Sequence, residues 1–463
     1  MSIFLSIIVT IICVISFFLK KEKLLLWIFV FTLINGMFEL NIGSSVKVYH
    51  FITLLYLPRI IKFYIYDPLI KRKFKPLIIE FIIMMLMGIL FGFIFKFDDP
   101  FKQYRTVTQL PEWRTLISGS RLFLELFSIL VVTYWLKSKI FSINYIFKVI
   151  GISTIITVLL AFIIYYTGGT AYRTLFPYWD YVADRLQYMH DFRGLVGEPK
   201  TFARTCAFLL ISMLLSEEYV SKSIRLFAIL LSLVGIIFSL SASGFIVAAV
   251  GLALFFITKR KMSNLFLLIL VSLSLFLTFK YSNQFNDRTL SKIQYVLASN
   301  NLDRKDEGKV RPNEPDLFTR FEIFDRAALN FLYFNPQYLL FGVGPNTVSI
   351  PASQYLTYRM QNSEVHGYGI NTAPATLFVN ILSRSGLCGL FLYLIFLIGI
   401  FKGLINKNDK TAFVILTVMV FITNTTIILL FYGIFLYLSI NYTKLRNQKN
   451  YCSTSQKLGH LLS

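Results

Sequence analysis

The sequence predicts an all-α, polytopic integral membrane protein of about twelve transmembrane helices (eleven to thirteen), with a large extracytoplasmic loop containing amphipathic helices. Three observations carry this. Hydrophobic residues make up 56% and charged residues only 15% of 463 positions, and mean hydropathy is +0.64, well outside the range of soluble domains. Apolar runs long enough to cross a bilayer recur along the chain. Short basic clusters alternate with longer, mixed-charge connectors, as the positive-inside rule expects of successive cytoplasmic and outer loops.

In chain order, Met1 to Leu19 is apolar and is followed by the basic cluster Lys20 to Lys23. A signal peptide would carry its charge before the apolar core and a small-residue cleavage site after it, so this reads as a retained first span. Leu24 to Ile42 is expected as a second span, and His50 to Tyr66, interrupted by Arg59 and Lys62, as a weaker third. Pro76 to Phe95 is the fourth, Lys96 to Ser120 a polar loop, and Leu122 to Leu136 and Phe147 to Tyr166 the next two. A second loop, Thr167 to Lys200, precedes spans near Thr201 to Leu215, Leu226 to Leu240 and Gly244 to Ile257, then Leu265 to Phe279. SLSASGF (Ser239 to Phe245) reads as a turn whose small residues allow close helix approach. After the large loop come Thr376 to Phe401 and a last stretch, Thr411 to Tyr442, which the TNTT segment (Thr423 to Thr426) divides into two short helices.

The expected organisation is a bundle over 1–281 with outer loops at 96–120 and 167–200, a periplasmic or extracellular loop at 282–372, C-terminal spans at 373–442, and a basic cytoplasmic tail at 443–463. The large loop carries nine basic and nine acidic residues, so it lacks the cytoplasmic signature. The net charge of +22 therefore belongs mainly to loops facing anionic lipid, and nucleic acid is not an expected partner. Cys13, Cys206, Cys388 and Cys452 show no paired spacing, which argues against a disulfide framework or a cysteine metal site.

Long polar connectors in a tightly looped chain either carry function or stay disordered, so candidate chemistry concentrates in the outer loops. Arg193, Glu198 and Arg204 fall near the mouth of a span. Arginine there suits an anionic, phosphate-bearing partner, the alternative being snorkelling arginines paired with Asp184, Asp191 and Glu198. Phe321, Phe324, Ala328 and Phe331 recur at helical spacing, with Arg320 at the start and Glu322 and Arg326 as an i,i+4 pair, predicting an amphipathic surface helix. GVGPN (Gly342 to Asn346) is a tight turn, lacking the strand before it and the Lys-Ser/Thr after it that a nucleotide loop needs. His366 is the only histidine of this loop, either a general base or a hydrogen-bonded surface residue. Arg384 lies inside an apolar run, where charge faces a cavity or a partner.

Together these motifs resemble a known family. Arg193-Gly194, Glu198-Pro199 and Phe202-Ala203 before a span, Arg320 opening a helix with Ala327-Ala328, Pro336, Phe341-Gly342-Val343-Gly344, and Gly386-Leu387-Cys388-Gly389 in a late span resemble the O-antigen polymerase (Wzy) and O-antigen ligase superfamily. The resemblance runs from Arg193 to Phe401; the N-terminal spans match only in hydropathy. It implies a multi-pass glycosyltransferase of the bacterial cytoplasmic (inner) membrane, active on the periplasmic or outer side. Such an enzyme moves glycan from an undecaprenyl diphosphate carrier to an acceptor hydroxyl, with no cofactor and no metal. Implied partners are the undecaprenyl diphosphate-linked oligosaccharide, membrane lipid, and a chain-length regulator and flippase of the same pathway.

Carried onto this chain, Arg193, Arg320 and, in support, Arg204 would neutralise the diphosphate leaving group. His366 first and Glu198 second would act as base toward the acceptor hydroxyl. Trp179, Tyr178, Tyr188, Tyr355 and Tyr358 could stack on sugar rings. Ligases often carry a His-Asn pair about a dozen residues before the Gly-x-x-Gly helix; this chain has Ala373-Pro374 there, and SASGF where the family often has arginine. Those departures favour a repeat-unit polymerase over a ligase that transfers polymer to lipid A core. A lipid-linked glycan flippase is the rival from another class, against which stand the absence of an internal repeat and the concentration of polar residues in outer loops.

Overall fold

The computed structural model describes residues 2–36, 38–41, 45–97, 110–167, 192, 194–196, 199–259, 269, 273, 323–355, 374, 376–423 and 425–443. Arg193, Glu198, Arg320 and His366, the aromatic residues Trp179, Tyr178, Tyr188 and Tyr358, Cys452 and the Leu265 to Phe279 span lie outside the described residues, wholly or nearly so.

The described residues are all-α apart from one two-stranded hairpin. α1 (Ser2–Phe18) and α2 (Glu22–Ile34) are followed by β1 (Glu39–Asn41) and β2 (Ser45–Lys47), antiparallel with Leu40 opposite Val46. The expected second span thus ends eight residues early. Asn35 and Gly36 interrupt the apolar run; Asn35 turns its side-chain amide to Thr157 Oγ1 (2.8 Å), and Lys47 Nζ donates to Gly36 O (2.5 Å). α3 (Val48–Tyr66) contains Pro58. α4 (Pro68–Ile89), continued by a π-helical turn at Leu90–Ile94, starts at Asp67, whose carboxylate accepts from the Leu69 and Ile70 amides, and has Pro68 in the first turn, the N-terminal signature of a stable helix.

α5 (Pro111–Lys137) begins eleven residues before the expected span, so Glu112, Trp113 and Arg114 ride on a helix rather than in the expected 96–120 loop. Pro111 at the helix start is the local cause. α6 (Ile143–Tyr166) is capped by Ser142, and α7 (Pro199–Leu215), α8 (Lys222–Phe238) and α9 (Ala242–Lys259) follow. Leu240, at positive φ, turns the chain between α8 and α9. A Cβ on Gly244 would lie 2.3 Å from Ala203 Cβ, so α7 and α9 meet through small residues, as membrane helices commonly do.

α10 (Ile323–Phe334) precedes α11 (Leu377–Gly403), α12 (Lys407–Thr423) and α13 (Ile428–Thr443). Residues 325–332 are buried on every side of α10, so this helix is packed in rather than laid on a surface. The last apolar stretch is two helices with a turn at 425–427 between them. By length and composition four helices of the described residues can cross a bilayer: Pro68–Ile94, Glu112–Lys137, Ile143–Tyr166 and Leu377–Gly403. Their outward faces present Ile156, Leu159 and Ile163 on α6 and Phe391, Leu394 and Ile398 on α11, the exposed apolar band a lipid environment requires.

The helix ends that carry the basic clusters come together. Lys137 pairs with Asp67, Arg59 with Glu22 (3.6 Å), and Lys73 Nζ donates to Gly399 O (2.8 Å). This is the basic end of the bundle; the opposite end holds the candidate site.

Candidate functional site: a polar cavity between α4, α5 and α11

Helix lengths create the depression. α5 and α11 have 27 residues each, about 40 Å at 1.5 Å per residue. α2 has only 13, about 20 Å. Thr426 Oγ1, in the α12–α13 link, donates to Leu33 O at 3.2 Å, so that link stops at the depth of the α2 terminus. Above these short elements a cavity of about 340 Å³ is lined by Lys47, Ser118, Arg121, Glu125, Asn346 and Arg384, with Asn380, Tyr393, Thr425, Thr426 and Tyr432 among its other polar groups.

Arg384 owes its position to glycines. At Gly386 (φ 66°, ψ −163°) α11 is broken, and the freed backbone groups pair with the loop that contains GVGPN. Val343 N donates to Ser383 O and Gly344 N to Arg384 O (both 2.9 Å), while Leu387 N and Cys388 N donate to Leu339 O and Leu340 O (2.9 and 3.0 Å). The approach is too close for a side chain: a Cβ on Gly342 (φ 69°) would lie 2.5 Å from the Arg384 carbonyl carbon, and one on Gly344 (φ 94°) 2.2 Å from Gly88 Cα in α4. Only glycine adopts these left-handed angles cheaply. The LFGVG and SRSGLCG segments, separate in sequence, are one structural unit.

That unit sets a buried ion pair. Arg384 Nε donates to Glu80 Oε1 (3.1 Å), and Ser385 Oγ donates to the same oxygen (2.8 Å). Glu80 is 1% exposed and Arg384 6%. A charge at this depth is tolerated when paired and hydrogen-bonded. The loop continues to Asn346, at left-handed φ 59°, whose amide donates to Ser118 Oγ on α5 (3.1 Å). Asp325 of α10 accepts from Thr376 N (3.2 Å) at the start of α11. α5 then contributes Arg121 and, one turn on, Glu125, 3.8 Å from His50 Nε2. Arg121 and Arg384 both act electrostatically on Glu125.

The cavity therefore presents three cations (Lys47, Arg121, Arg384) and one carboxylate in a partly desolvated setting, where fixed charges act strongly on a bound anion. Arg204 sits half-buried in the second turn of α7 and does not line it. No group of three His, Cys, Asp or Glu able to hold a metal occurs among the described residues.

A larger cavity, about 530 Å³, opens at the basic end between α6, α7, α8, α9 and α12. Most of its ions are matched: Glu217 pairs with Arg225 (3.7 Å), Asn408 bridges Lys259 and Glu218, and Asp409 accepts from Tyr219 (2.9 Å) and Tyr442 (3.1 Å). Burial raises the Asp409 carboxyl above its ordinary value, the two tyrosine hydrogen bonds opposing it. Burial, then the Asp409 charge, raises the Tyr219 phenol. This arrangement holds helix ends together; the polar cavity at the other end sets Lys47, Arg121 and Arg384 against Glu125 alone in its lining.

Residues 227–394 match the family model described as O-antigen ligase. The match covers 168 of the 463 residues, 227 to 394. No curated protein and no solved structure matches the chain. The matched residues take in most of α8, then α9, α10, the GVGPN loop and the broken part of α11 with Arg384. Lys47, His50, Glu80, Arg121 and Glu125 lie outside the match, in the N-terminal third of the chain. These five were not singled out from sequence, although Glu80 inside PLIIEFIIMM and the Arg121/Glu125 pair inside RLFLELF are charges within apolar runs, the signal that did single out Arg384.

Proposed function

We propose that the chain is a surface-polysaccharide (O-antigen) repeat-unit polymerase of the bacterial cytoplasmic membrane. The match to the O-antigen ligase family supports a glycosyltransferase-like membrane enzyme; donor and acceptor are the finer reading. The donor is a glycan on undecaprenyl diphosphate, and the acceptor is the non-reducing-end hydroxyl of another lipid-linked repeat unit. One observation supports this above others: Lys47, Arg121 and Arg384 converge on a cavity at the end of the bundle away from the basic clusters, which the positive-inside rule assigns to the outer side.

In the reaction the acceptor oxygen bonds to the anomeric carbon, the bond from that carbon to the diphosphate oxygen breaks, and the acceptor proton passes to a base. Departure of the diphosphate is limited by its developing charge, and preorganised guanidinium groups lower that barrier without a metal. Arg384, held by Glu80 through Nε, keeps its terminal nitrogens for phosphate oxygens, a geometry arginine suits better than lysine. Arg193, Arg320 and Arg204 remain proposed partners of the diphosphate, and Glu198 and His366 remain proposed groups of the acceptor side. A chain-length regulator and a flippase would work beside the enzyme.

Transfer of polymer to lipid A core is the second reading, favoured by the description of the matching family. The test is the surface-polysaccharide ladder of cells lacking the gene, complemented with wild type, Arg384→Ala, Arg193→Ala or Arg320→Ala at equal membrane expression. Core plus a single repeat unit, unrelieved by the arginine variants, is the expected pattern. Bare core in the deletion strain identifies a ligase, and an unchanged ladder removes both readings.

A further inference from the structure

The cavity also contains the means to activate an acceptor hydroxyl, and we propose that Glu125 is the general base, with His50 as its positioning residue. This rests on the glycosyl-transfer reading above and deepens it.

Of the described residues lining the cavity, Glu125 is the only carboxylate, and none is histidine or cysteine. The other groups are unsuited to accept a proton near neutrality. Lys47 Nζ is committed to Gly36 O (2.5 Å) and Tyr393 donates to Tyr432 (3.1 Å); Lys, Arg and Tyr are protonated at that pH, and the Ser, Thr and Asn groups are not bases. Glu125 keeps 23% of its side-chain surface open, so a sugar hydroxyl can reach it.

His50 lies behind Glu125, at 0% exposure, and cannot touch substrate. Its tautomer follows from its bonds. Nδ1 accepts from the Lys47 amide (3.2 Å), so in the neutral ring the proton is on Nε2. Nε2 is buried without a hydrogen-bond partner, and the nearest carboxylate oxygen is Glu125 Oε1 at 3.8 Å. That gap exceeds a hydrogen bond and is of the kind that closes when substrate binds. The imidazole would then fix one carboxylate oxygen and leave the other for the acceptor.

The local layout matches the reaction. Arg121 precedes Glu125 by four residues on α5, so both face one side of the helix, one toward anion and one toward hydroxyl. Glu125 takes the proton as the acceptor oxygen attacks the anomeric carbon, the electron pair of the breaking bond leaves with the diphosphate, and the protonated carboxyl returns its proton to water.

The experiment uses the purified full-length protein and lipid-linked repeat units extracted from cells lacking the gene, with glycan elongation as one readout and thermal stabilisation by inorganic diphosphate as the other. Glu125→Gln, nearly isosteric, is expected to lose elongation by about 10²–10⁴-fold while diphosphate stabilises it at least as well as wild type. In Glu125→Ala, added formate is expected to restore part of the rate. His50→Gln is expected to keep diphosphate binding and to move the acidic limb of the pH–rate profile, with a smaller loss of rate. Glu125→Gln elongating at more than a third of the wild-type rate overturns the base assignment while leaving the glycosyl-transfer reading intact. Loss of diphosphate stabilisation in Glu125→Gln, or no rescue by formate, makes Glu125 a structural counter-charge instead. Wild type that elongates nothing removes the underlying reading, and the base with it.

Discussion

Removing Glu80 and Arg384 together should cost less than the two single changes add up to. Glu80 is 1% exposed and accepts from both Arg384 Nε (3.1 Å) and Ser385 Oγ (2.8 Å). In Glu80→Ala the guanidinium stays buried with its partner gone, which costs about 3–5 kcal/mol. Ser385 adds little, because Oγ still donates to Ile381 O at 3.1 Å. Arg384→Ala strands the carboxylate and costs a similar amount. The double variant has no charge to strand, so the coupling between the two sites should be roughly 1.5–3 kcal/mol. Unfolding of the purified protein by SDS in mixed micelles, followed by far-UV circular dichroism, gives all four corners of the cycle. Additive single losses, or a Glu80→Ala cost below about 1 kcal/mol, would refute the view that this pair is buried and mutually required.

Four further outcomes follow from the structure. Gly342→Ala places a Cβ 2.5 Å from the Arg384 carbonyl carbon at φ 69°, so it should destabilise by at least about 1–2 kcal/mol and abolish elongation. Gly399→Ala, with nothing within 4 Å, should be neutral or stabilise by about 0.5–1 kcal/mol in the same assays. The Asp409 carboxyl is raised chiefly by burial, so folding favours its protonated form. The stability it adds is present below the unfolded value near 3.8 and is lost as pH rises through the folded value. SDS-unfolding midpoints should therefore decline over that interval in wild type and decline less in Asp409→Asn. Arg121→Ala should weaken stabilisation by inorganic diphosphate and flatten its dependence on salt, measured by thermal melting across ionic strength.

The fold class was legible because hydropathy and basic clusters are bulk properties, and a bilayer admits few architectures for such a chain. Boundaries were less legible where local chemistry overrides hydropathy. Asn35 and Gly36 stop α2 inside an apolar run, and Pro111 starts α5 inside a polar one. Arg384 stood out because one charge in a long apolar run demands an explanation. Its partner Glu80 is 304 residues away, and no local pattern links the two. The GVGPN loop was legible as a turn, but its role in gripping the α11 break depends on a contact between segments about forty residues apart, which spacing alone does not reveal. His50 was hidden for another reason: its importance lies in a buried Nε2 aimed at a carboxylate on a different helix.

The most direct measurement is the product formed by the purified protein when lipid-linked repeat units are the only glycan supplied. The account predicts a series of lipid-linked oligomers, each longer by one repeat unit, with one undecaprenyl diphosphate released per bond, and no such series from Arg384→Ala. Absence of any oligomer until lipid A core is added, with glycan then appearing on the core, would contradict the polymerase assignment and establish the ligase.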